Sequence, residues 1–456
     1  MTAPKIKVAI VGGGIAGLAL AAGLVKKPHL SIHVYEAVAE YSDVGAGLAL
    51  HLNAIKAMAL LGPEVQQAYF DKALNMGEED QEMVTEVILA QGPHAGQLVA
   101  ELGKAKGRKT VSRADLLDGF RALLPPGHIS FGKRLAKISE RSAAGEQHRV
   151  ELTFQDGTTA SADCLLGADG VHSITRAYLL GEGHPATRPK NHDGWRIYRT
   201  MVPAEEARKQ INPKWTTSVP ILLGPRGHIN CIPLNKNTRL SAGVAVRGAE
   251  PTTDDDDDDD DNNNKNNGSR PPPPLDPAWY ADYSEEAQQI VRLVARDTSA
   301  SWRARDHDHA PRYARGRVAM LGDAAHAALP FAGNGAAQAL EDAAVLDRLL
   351  GEVRAAAEVP AALRAFCEAR RPRTRAVVDL ARRFGRVYAF ADVDDDDEGG
   401  EGGKGMHEDP ARMRAFFARA AAFTNDFDVA RQNEDAVALY HRLCLLGDGR
   451  PDGACR

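Results

Sequence analysis

The sequence predicts an α/β fold: a domain built on a parallel sheet, an antiparallel sheet inserted into it, and a C-terminal helical segment. Three observations carry this expectation. A strand–glycine turn–helix–strand unit opens the chain, short strands of a different pattern fill its middle, and an α/β pattern resumes before a mostly helical tail. A length of 456 residues suits two or three such units rather than one core.

The opening unit is read from IKVAIVGGGIAGLALAAGL, Ile6 to Leu24. Lys7 to Val11 is a short β-branched run suited to a buried parallel strand. Glycines follow at once, then the Ala/Leu-rich, helix-forming stretch Ile15 to Val25, and Leu30 to Tyr35 (LSIHVY) returns to strand composition. That is a βαβ unit of about 30 residues. The spacing Gly12-x-Gly14-x-x-Gly17 lies between strand and helix, the context in which it reads as a dinucleotide fingerprint. Glycine allows the tight turn and close backbone approach to a pyrophosphate, and the helix N-terminus supplies free N–H groups and a positive dipole end. Glu36 stands at the next strand end, about 20 residues on, where a carboxylate accepts hydrogen bonds from a ribose. Glycines at 12, 13, 14 and 17 weigh against a signal peptide or an apolar anchor. No other uncharged run approaches the roughly 20 residues of a membrane span. By itself the fingerprint does not separate NAD from FAD.

Further along, SRADLLDGFRALL reads as a helix capped by Ser112, with Asp115 three residues later. The alternation within Phe131 to Phe154 predicts antiparallel strands, and Asp163 to Ala168 a buried strand closed by Asp169-Gly170. From about Pro185 to Ser301 short strands recur (WRIYRTMVP, VPILLG, HINCIPL, RLSAGVAV), which predicts a second, antiparallel sheet. An Asp/Asn/Pro-rich insertion at 254–274 and an acidic, Gly-rich stretch at 392–405 read as disordered surface loops. From Gly316 the α/β pattern resumes, with a long Ala-rich helix after Gly335 and helices beyond about Arg373.

Charge and cysteines exclude several classes. The net charge of −6 is set by two acidic runs, Asp254 to Arg270 and Asp392 to Lys404, each contributing −6, so the remainder is +6. Such a surplus, spread over a chain of this size, marks no nucleic-acid binder but suits anionic ligands. The five cysteines are far apart and lack a C-x-x-C pair, which argues against a disulfide framework or a zinc site. A soluble, cytoplasmic protein in a reducing compartment is expected. The run Asp306 to His309 (DHDH) reads as a solvated charged face rather than a metal site. No metal ligand is assigned, and the oligomeric state is left open.

Two later motifs carry a resemblance. CLLGADGVHSITR (Cys164 to Arg176) and GRVAMLGDAAHAALPFAGNGAAQALEDA (Gly316 to Ala343) resemble the second and third signatures of the single-component FAD-dependent aromatic hydroxylases. The branch is that of salicylate hydroxylase and the fungal polyketide-tailoring FAD monooxygenases. With the fingerprint, the likeness runs in order over nearly the whole chain. It implies a Rossmann-like FAD-binding domain from 1–75, 101–184 and 305–372. Strands at 76–100 join 185–304 in an inserted antiparallel-sheet substrate domain, and a C-terminal helical segment covers 373–456. It implies FAD as cofactor, NADPH or NADH as reductant, and transfer of one oxygen of O2 to a small aromatic substrate.

Position by position, the resemblance implies that Gly12, Gly14, Gly17 and Glu36 bind the adenosine and pyrophosphate end of FAD. It implies that Ala49 meets the cofactor through backbone and that Arg113 lies near the ribityl–pyrophosphate region. Asp169 belongs to the motif associated with FAD and pyridine-nucleotide use. Asp323 serves the ribityl chain, with a helix N-cap as its alternative, and Gly335 and Ala336 flank the isoalloxazine ring. His326 reads as structural. On the substrate side Arg199 matches an arginine near the substrate's phenolate or carboxylate. Arg196, at an odd offset on the same strand, faces the other way. Where phenolic dearomatases of the family carry a tyrosine before a proline, this chain has Ile232, which leans towards ring hydroxylation, or hydroxylation with loss of a carboxylate. His228 and Asn230 are nearby polar candidates for the substrate site, with solvated strand residues as the preferred reading. The rivals are an NAD-dependent dehydrogenase, which leaves the Asp169 and Asp323 motifs unexplained, and a flavin-binding partner protein that has lost catalysis. A flavin halogenase would show a W-x-W-x-I-P stretch, which the sequence lacks.

Overall fold

The β-branched run after Lys5 forms β1 (Ile6–Val11), inside a six-stranded sheet. Four consecutive buried residues close the strand, as expected for a parallel strand covered on both faces. β2 (Leu30–Tyr35) and β11 (Cys164–Gly167) flank it in parallel, with Val8 opposite both Ile32 and Cys164. β18 (Val318–Met320) and β7 (Ile129–Ser130) extend the sheet, and β17 (Ala314–Arg315) adds an antiparallel edge. The computed structural model describes residues 4–41, 47–73, 82–106, 110–141, 149–235, 237–249, 273–391 and 405–446. The disordered loops expected at 254–274 and 392–405 lie almost entirely outside them.

Helices cover this sheet. The Ala/Leu stretch forms α1 (Ile15–Leu24), buried along nearly its whole surface and packed on α9 (Gly335–Glu352). α2 (Leu52–Leu61) and α3 (Pro63–Lys72) pack behind them, and α4 (Arg113–Arg121) begins at Ser112. There the Ser112 hydroxyl accepts from the Asp115 N–H at 3.0 Å, as its spacing predicts. A three-stranded antiparallel sheet, β8 (Leu135–Arg141), β9 (Arg149–Phe154) and β10 (Thr159–Ala162), precedes β11. A short pair, β3 (Gly47–Ala49) and β6 (Thr110–Ser112), bridges towards the second sheet.

That second sheet has seven strands. Its order is β16 (Ser301–Arg303), β12 (Arg196–Pro203), β15 (Arg239–Val246), β14 (Gly227–Leu234), β13 (Val219–Gly224), β4 (Glu82–Leu89) and β5 (Leu98–Lys106). Only β13 and β4 pair in parallel. α6 (Ala204–Arg208) and the amphipathic α7 (Glu285–Ala295) pack on this sheet. α5 (Ile174–Leu180) and α8 (Asp323–His326) follow β11 and β18.

Two expected boundaries move. The border at 100 falls inside β5, because its pairing with β4 runs on to Glu82 opposite Lys106. The border at 372 falls inside α10 (Val359–Tyr388), which passes through Pro372 without ending. A proline inside a helix costs about 3 kcal/mol. Buried residues on both sides, from Phe366 and Cys367 to Val377 and Val378, hold the helix continuous. α11 (Pro410–Asn425) and α12 (Val429–Leu445) complete the chain. Cys164 and Cys231 are buried free thiols and Cys444 is an exposed one. Among the described residues no helix is long and apolar enough to cross a membrane.

Candidate active site

Four strand ends of the parallel sheet converge on one cavity of about 630 Å³. Gly12 follows β1, Glu36 follows β2, Asp169 follows β11 and Asp323 follows β18, the carboxyl-end placement at which open α/β sheets bind ligands. Gly12 has φ +102°, and a Cβ there would stand 2.1 Å from the Ala168 carbonyl oxygen, so the turn presses on the end of β11. Gly14 is different. The nearest atom to a Cβ there is the Arg113 guanidinium at 3.9 Å, so the uncapped N-terminus of α1 opens onto space with a cation across it. That cradle fits a diphosphate. At its rim Glu36 accepts from the backbone N–H of Gly13 at 2.5 Å and of Val38 at 2.9 Å. Ala49 lines the same cavity.

Asp169 also lines it, but with its oxygens already engaged. It accepts from Ser173 Oγ at 2.6 Å and from the N–H and hydroxyl of Thr175 at 2.9 and 3.1 Å, so it holds the turn into α5. Burial pushes its carboxyl up from the usual range. Asp323 resolves the other way: α8 is capped by Gly322 with no side-chain bond, and the carboxylate is exposed on the cavity wall. Beyond it Gly333, at φ +60°, turns the chain into α9, whose first residues, Gly335 and Ala336, also line the cavity.

Behind this turn lies a buried polar network. Asn334 accepts from Asn53 Nδ2 at 3.2 Å and from Gln338 Nε2 at 2.8 Å, and both donors also reach Glu341. Arg370 and Arg373 both donate to Glu341, and Arg370 also to Asp342 at 2.7 Å. Asp342 in turn receives His326 Nε2 at 2.6 Å and the Gly322 N–H at 2.9 Å. His326 therefore braces the cofactor-side turns from below. Burial pushes Glu341 up, but Arg370 and Arg373 outweigh it and hold its carboxyl below the ordinary value.

The far end of the cavity is walled by the seven-stranded sheet and by α10. Arg199, opposite Gly243 in β15, lines it and stacks on Trp302 at 4.6 Å. Its neighbour Arg196 donates instead to Ser301. No carboxylate pairs with Arg199 among the described residues, and burial lowers its pKa to about 10. His228 lines the same end, with its ring 5.3 Å from Phe331 and 5.0 Å from Tyr388. Its Nδ1 is buried without a partner among the described residues, and burial lowers its pKa to about 4. The imidazole is neutral at physiological pH. The expectation of a solvated His228 is thus corrected: β14 turns this side chain under α10, where rings cover it. Ile232 packs beside Gly47 on the same wall.

Comparisons with known proteins show the family. The model of a FAD binding domain family matches residues 5–381. A 6-methylsalicylate 1-monooxygenase of Aspergillus terreus is 33% identical over 438 residues, covering 96% of this chain and 92% of its own. A salicylate hydroxylase of Pseudomonas putida is 34% identical over 411 residues, covering 85% of this chain and 87% of its own. The chain belongs to the FAD-dependent aromatic hydroxylases. A solved substrate complex of a salicylate hydroxylase superposes on this member with a TM-score of 0.75 at 28% identity, over 95% of this chain and 98% of that one.

In this hydroxylase the cavity gathers every residue to which the resemblance gave a cofactor or substrate role except Gly17, which packs against the Gly12 carbonyl below the turn. Sequence reading missed the wall that the C-terminal helices supply. Phe384 and Tyr388 of α10, and Thr424 and Asn425 at the end of α11, also line the cavity. Nothing but amphipathic spacing marked them. It also missed Arg176, fully buried, which donates to the carbonyls of Ala324 and Ala325 and so ties the second signature to the third. The DHDH run is not a solvated face. Asp306 is fully buried against Arg382 at 2.6 Å, and His307 is buried beside it.

Proposed function

We propose that this hydroxylase uses NADPH or NADH and O2 to hydroxylate a phenolic acid of the salicylate type, a polyketide-derived aromatic of secondary metabolism. One observation carries the reading: a half-buried arginine, Arg199, with no carboxylate partner among the described residues, at the apolar end of the cavity. A cation withdrawn from water in this way suits an anion brought by a ligand. The names of two relatives, a 6-methylsalicylate 1-monooxygenase and a salicylate hydroxylase, specify acids of this kind.

Bound FAD supplies the oxygen chemistry. The chain's own residues supply place and charge. The open N-terminus of α1 and Arg113 would hold the diphosphate, and Asp323 and the start of α9 would serve the remainder of the cofactor. Arg199 would orient the acid, and Nδ1 of neutral His228 would accept the phenol O–H, which keeps the ring electron-rich and fixed. Phe331 and Phe384 exclude water from the reacting face. Ile232 places no phenol on β14, which favours ring hydroxylation, with loss or retention of the carboxylate, over dearomatisation.

The test is the rate of flavin reduction by NADPH and by NADH, with and without salicylate, 6-methylsalicylate and related acids. Acceleration of about tenfold or more by one acid, with oxygenated product, is expected. A yellow protein whose reduction no phenolic acid accelerates would overturn the reading. Release of CO2 in step with NAD(P)H consumption separates hydroxylation with loss of the carboxylate from hydroxylation that keeps it.

A further inference from the structure

Tyr388 ends α10 with no exposed surface. Its ring is fixed on three sides, 5.0 Å from His228, 5.5 Å from Phe384 and 5.9 Å from Phe417. Everything about this position except one atom is apolar packing, which phenylalanine would supply equally well. That atom, the phenol oxygen, is buried and has no hydrogen-bond partner among the described residues, and the residue lines the cavity. An unpaired buried hydroxyl is costly, so native structures rarely keep one without a use. His228 Nδ1, on the ring beside it, is in the same condition. Two neighbouring orphaned groups at the substrate end, both uncharged at neutral pH, mark a place for an uncharged oxygen. Arg199 marks the place for a charged one.

We propose that Tyr388 is a specificity-determining residue, whose hydroxyl hydrogen-bonds an uncharged oxygen substituent on the ring of the bound aromatic acid. The inference rests on the reading of the cavity as an aromatic-acid site. It adds that the site recognises two separate features of its ligand: a carboxylate through β12 and a hydroxyl or carbonyl oxygen through α10. The second feature is what separates one hydroxybenzoate isomer from another, since all of them carry the same carboxylate. A water molecule bound to Tyr388 would satisfy the hydroxyl as well, but it would not discriminate between ligands.

The experiment titrates the oxidised, FAD-loaded protein with benzoate and with 2-, 3- and 4-hydroxybenzoate, following the flavin absorbance change, in the wild type and in Tyr388→Phe. The substitution removes a single oxygen and keeps the packing, and equal FAD content and melting temperature check this. In the wild type one hydroxybenzoate is expected to bind more tightly than benzoate. Tyr388→Phe should weaken that isomer by about tenfold and leave benzoate unchanged. Equal affinities of wild type and variant for every isomer, or an equal loss on benzoate, would overturn the role given to Tyr388. If the wild type binds resorcinol and phenol but no acid, the aromatic-acid reading falls alone, and the same comparison of resorcinol with phenol decides Tyr388. Binding of none of these compounds would overturn both.

Discussion

Arg370 is fully buried and Arg199 half-buried, a few elements apart in the same molecule, and their surroundings are opposite. Arg370 lies on α10 with its guanidinium shared among Glu341, Asp342, Gln338 and Gln432. Burial alone would lower its pKa, but the two carboxylates outweigh it and raise it. Arg199 meets an indole and no carboxylate among the described residues, and burial lowers its pKa to about 10. The first cluster is closed: its charges answer one another, and it props the turn at Asn334 and the start of α8 from behind. The second is open. Three polar groups on its walls, Arg199, His228 Nδ1 and the Tyr388 hydroxyl, have no side-chain hydrogen-bond partner among the described residues. A closed network belongs to the scaffold, and an open one is completed by a ligand.

Breaking the closed side should have the largest effect. Arg370→Met leaves Glu341 and Asp342 with less compensation in a dry interior, and loss of one partner of a buried pair costs about 3–5 kcal/mol. Denaturant unfolding of the FAD-loaded protein measures this, and a loss below about 1 kcal/mol would place the network outside the scaffold. On the open side Arg199→Ala should leave unfolding almost unchanged but raise KM for a carboxylated phenol by about 10- to 100-fold, the value of one charge-assisted contact. An uncharged phenol should lose little, and equal effects on the two ligands would remove the anion role. The pH dependence carries the same sign. Arg199 is charged below about pH 10, and a benzoic acid is ionised above roughly 4, so affinity is flat between these values and is lost as pH rises through about 10.

The two regions also differ in how far the sequence revealed them. The cofactor half was legible because its chemistry is local: Gly12, Gly14 and Gly17 lie within one turn, and Glu36, Asp169 and Asp323 each follow a strand whose composition is plain. Backbone requirements at fixed offsets leave a mark in one dimension. The substrate half is assembled from β12, β14, α10 and α11, which lie up to about two hundred residues apart, and no spacing rule joins them. Arg199 was found by resemblance and by strand parity, which set it opposite in facing to Arg196. Tyr388 was not found, and His228 was named as a candidate but read as solvated, because burial under a distant helix is a property of the tertiary fold. The same holds for DHDH, where charge in the sequence suggested solvent and the fold supplied Arg382 instead. The border expected at 372 falls inside α10 for a related reason, since buried contacts on either side carry the helix through Pro372.

The smallest expected effect tests whether the division also holds within one helix turn. Ser112 and Arg113 are adjacent at the start of α4, yet they fall on opposite sides of it. Ser112 caps the helix, accepting from the Asp115 N–H at 3.0 Å and donating to the Asp115 carboxylate at 2.6 Å. Its loss in Ser112→Ala should cost about 1 kcal/mol in the FAD-free protein. Arg113 is exposed and places a cation at the positive end of the helix dipole, an arrangement that opposes stability by a few tenths of a kcal/mol. Arg113→Ala should therefore leave the FAD-free protein as stable as before, or more so by up to about 0.5 kcal/mol. FAD should nevertheless dissociate more readily from it, because the guanidinium lies across the open turn at Gly14. The readout is paired: thermal unfolding without FAD, and FAD dissociation at rising salt. A cation kept where the helix disfavours it is explained by a ligand, so loss of stability with unchanged FAD affinity would return Arg113 to the scaffold.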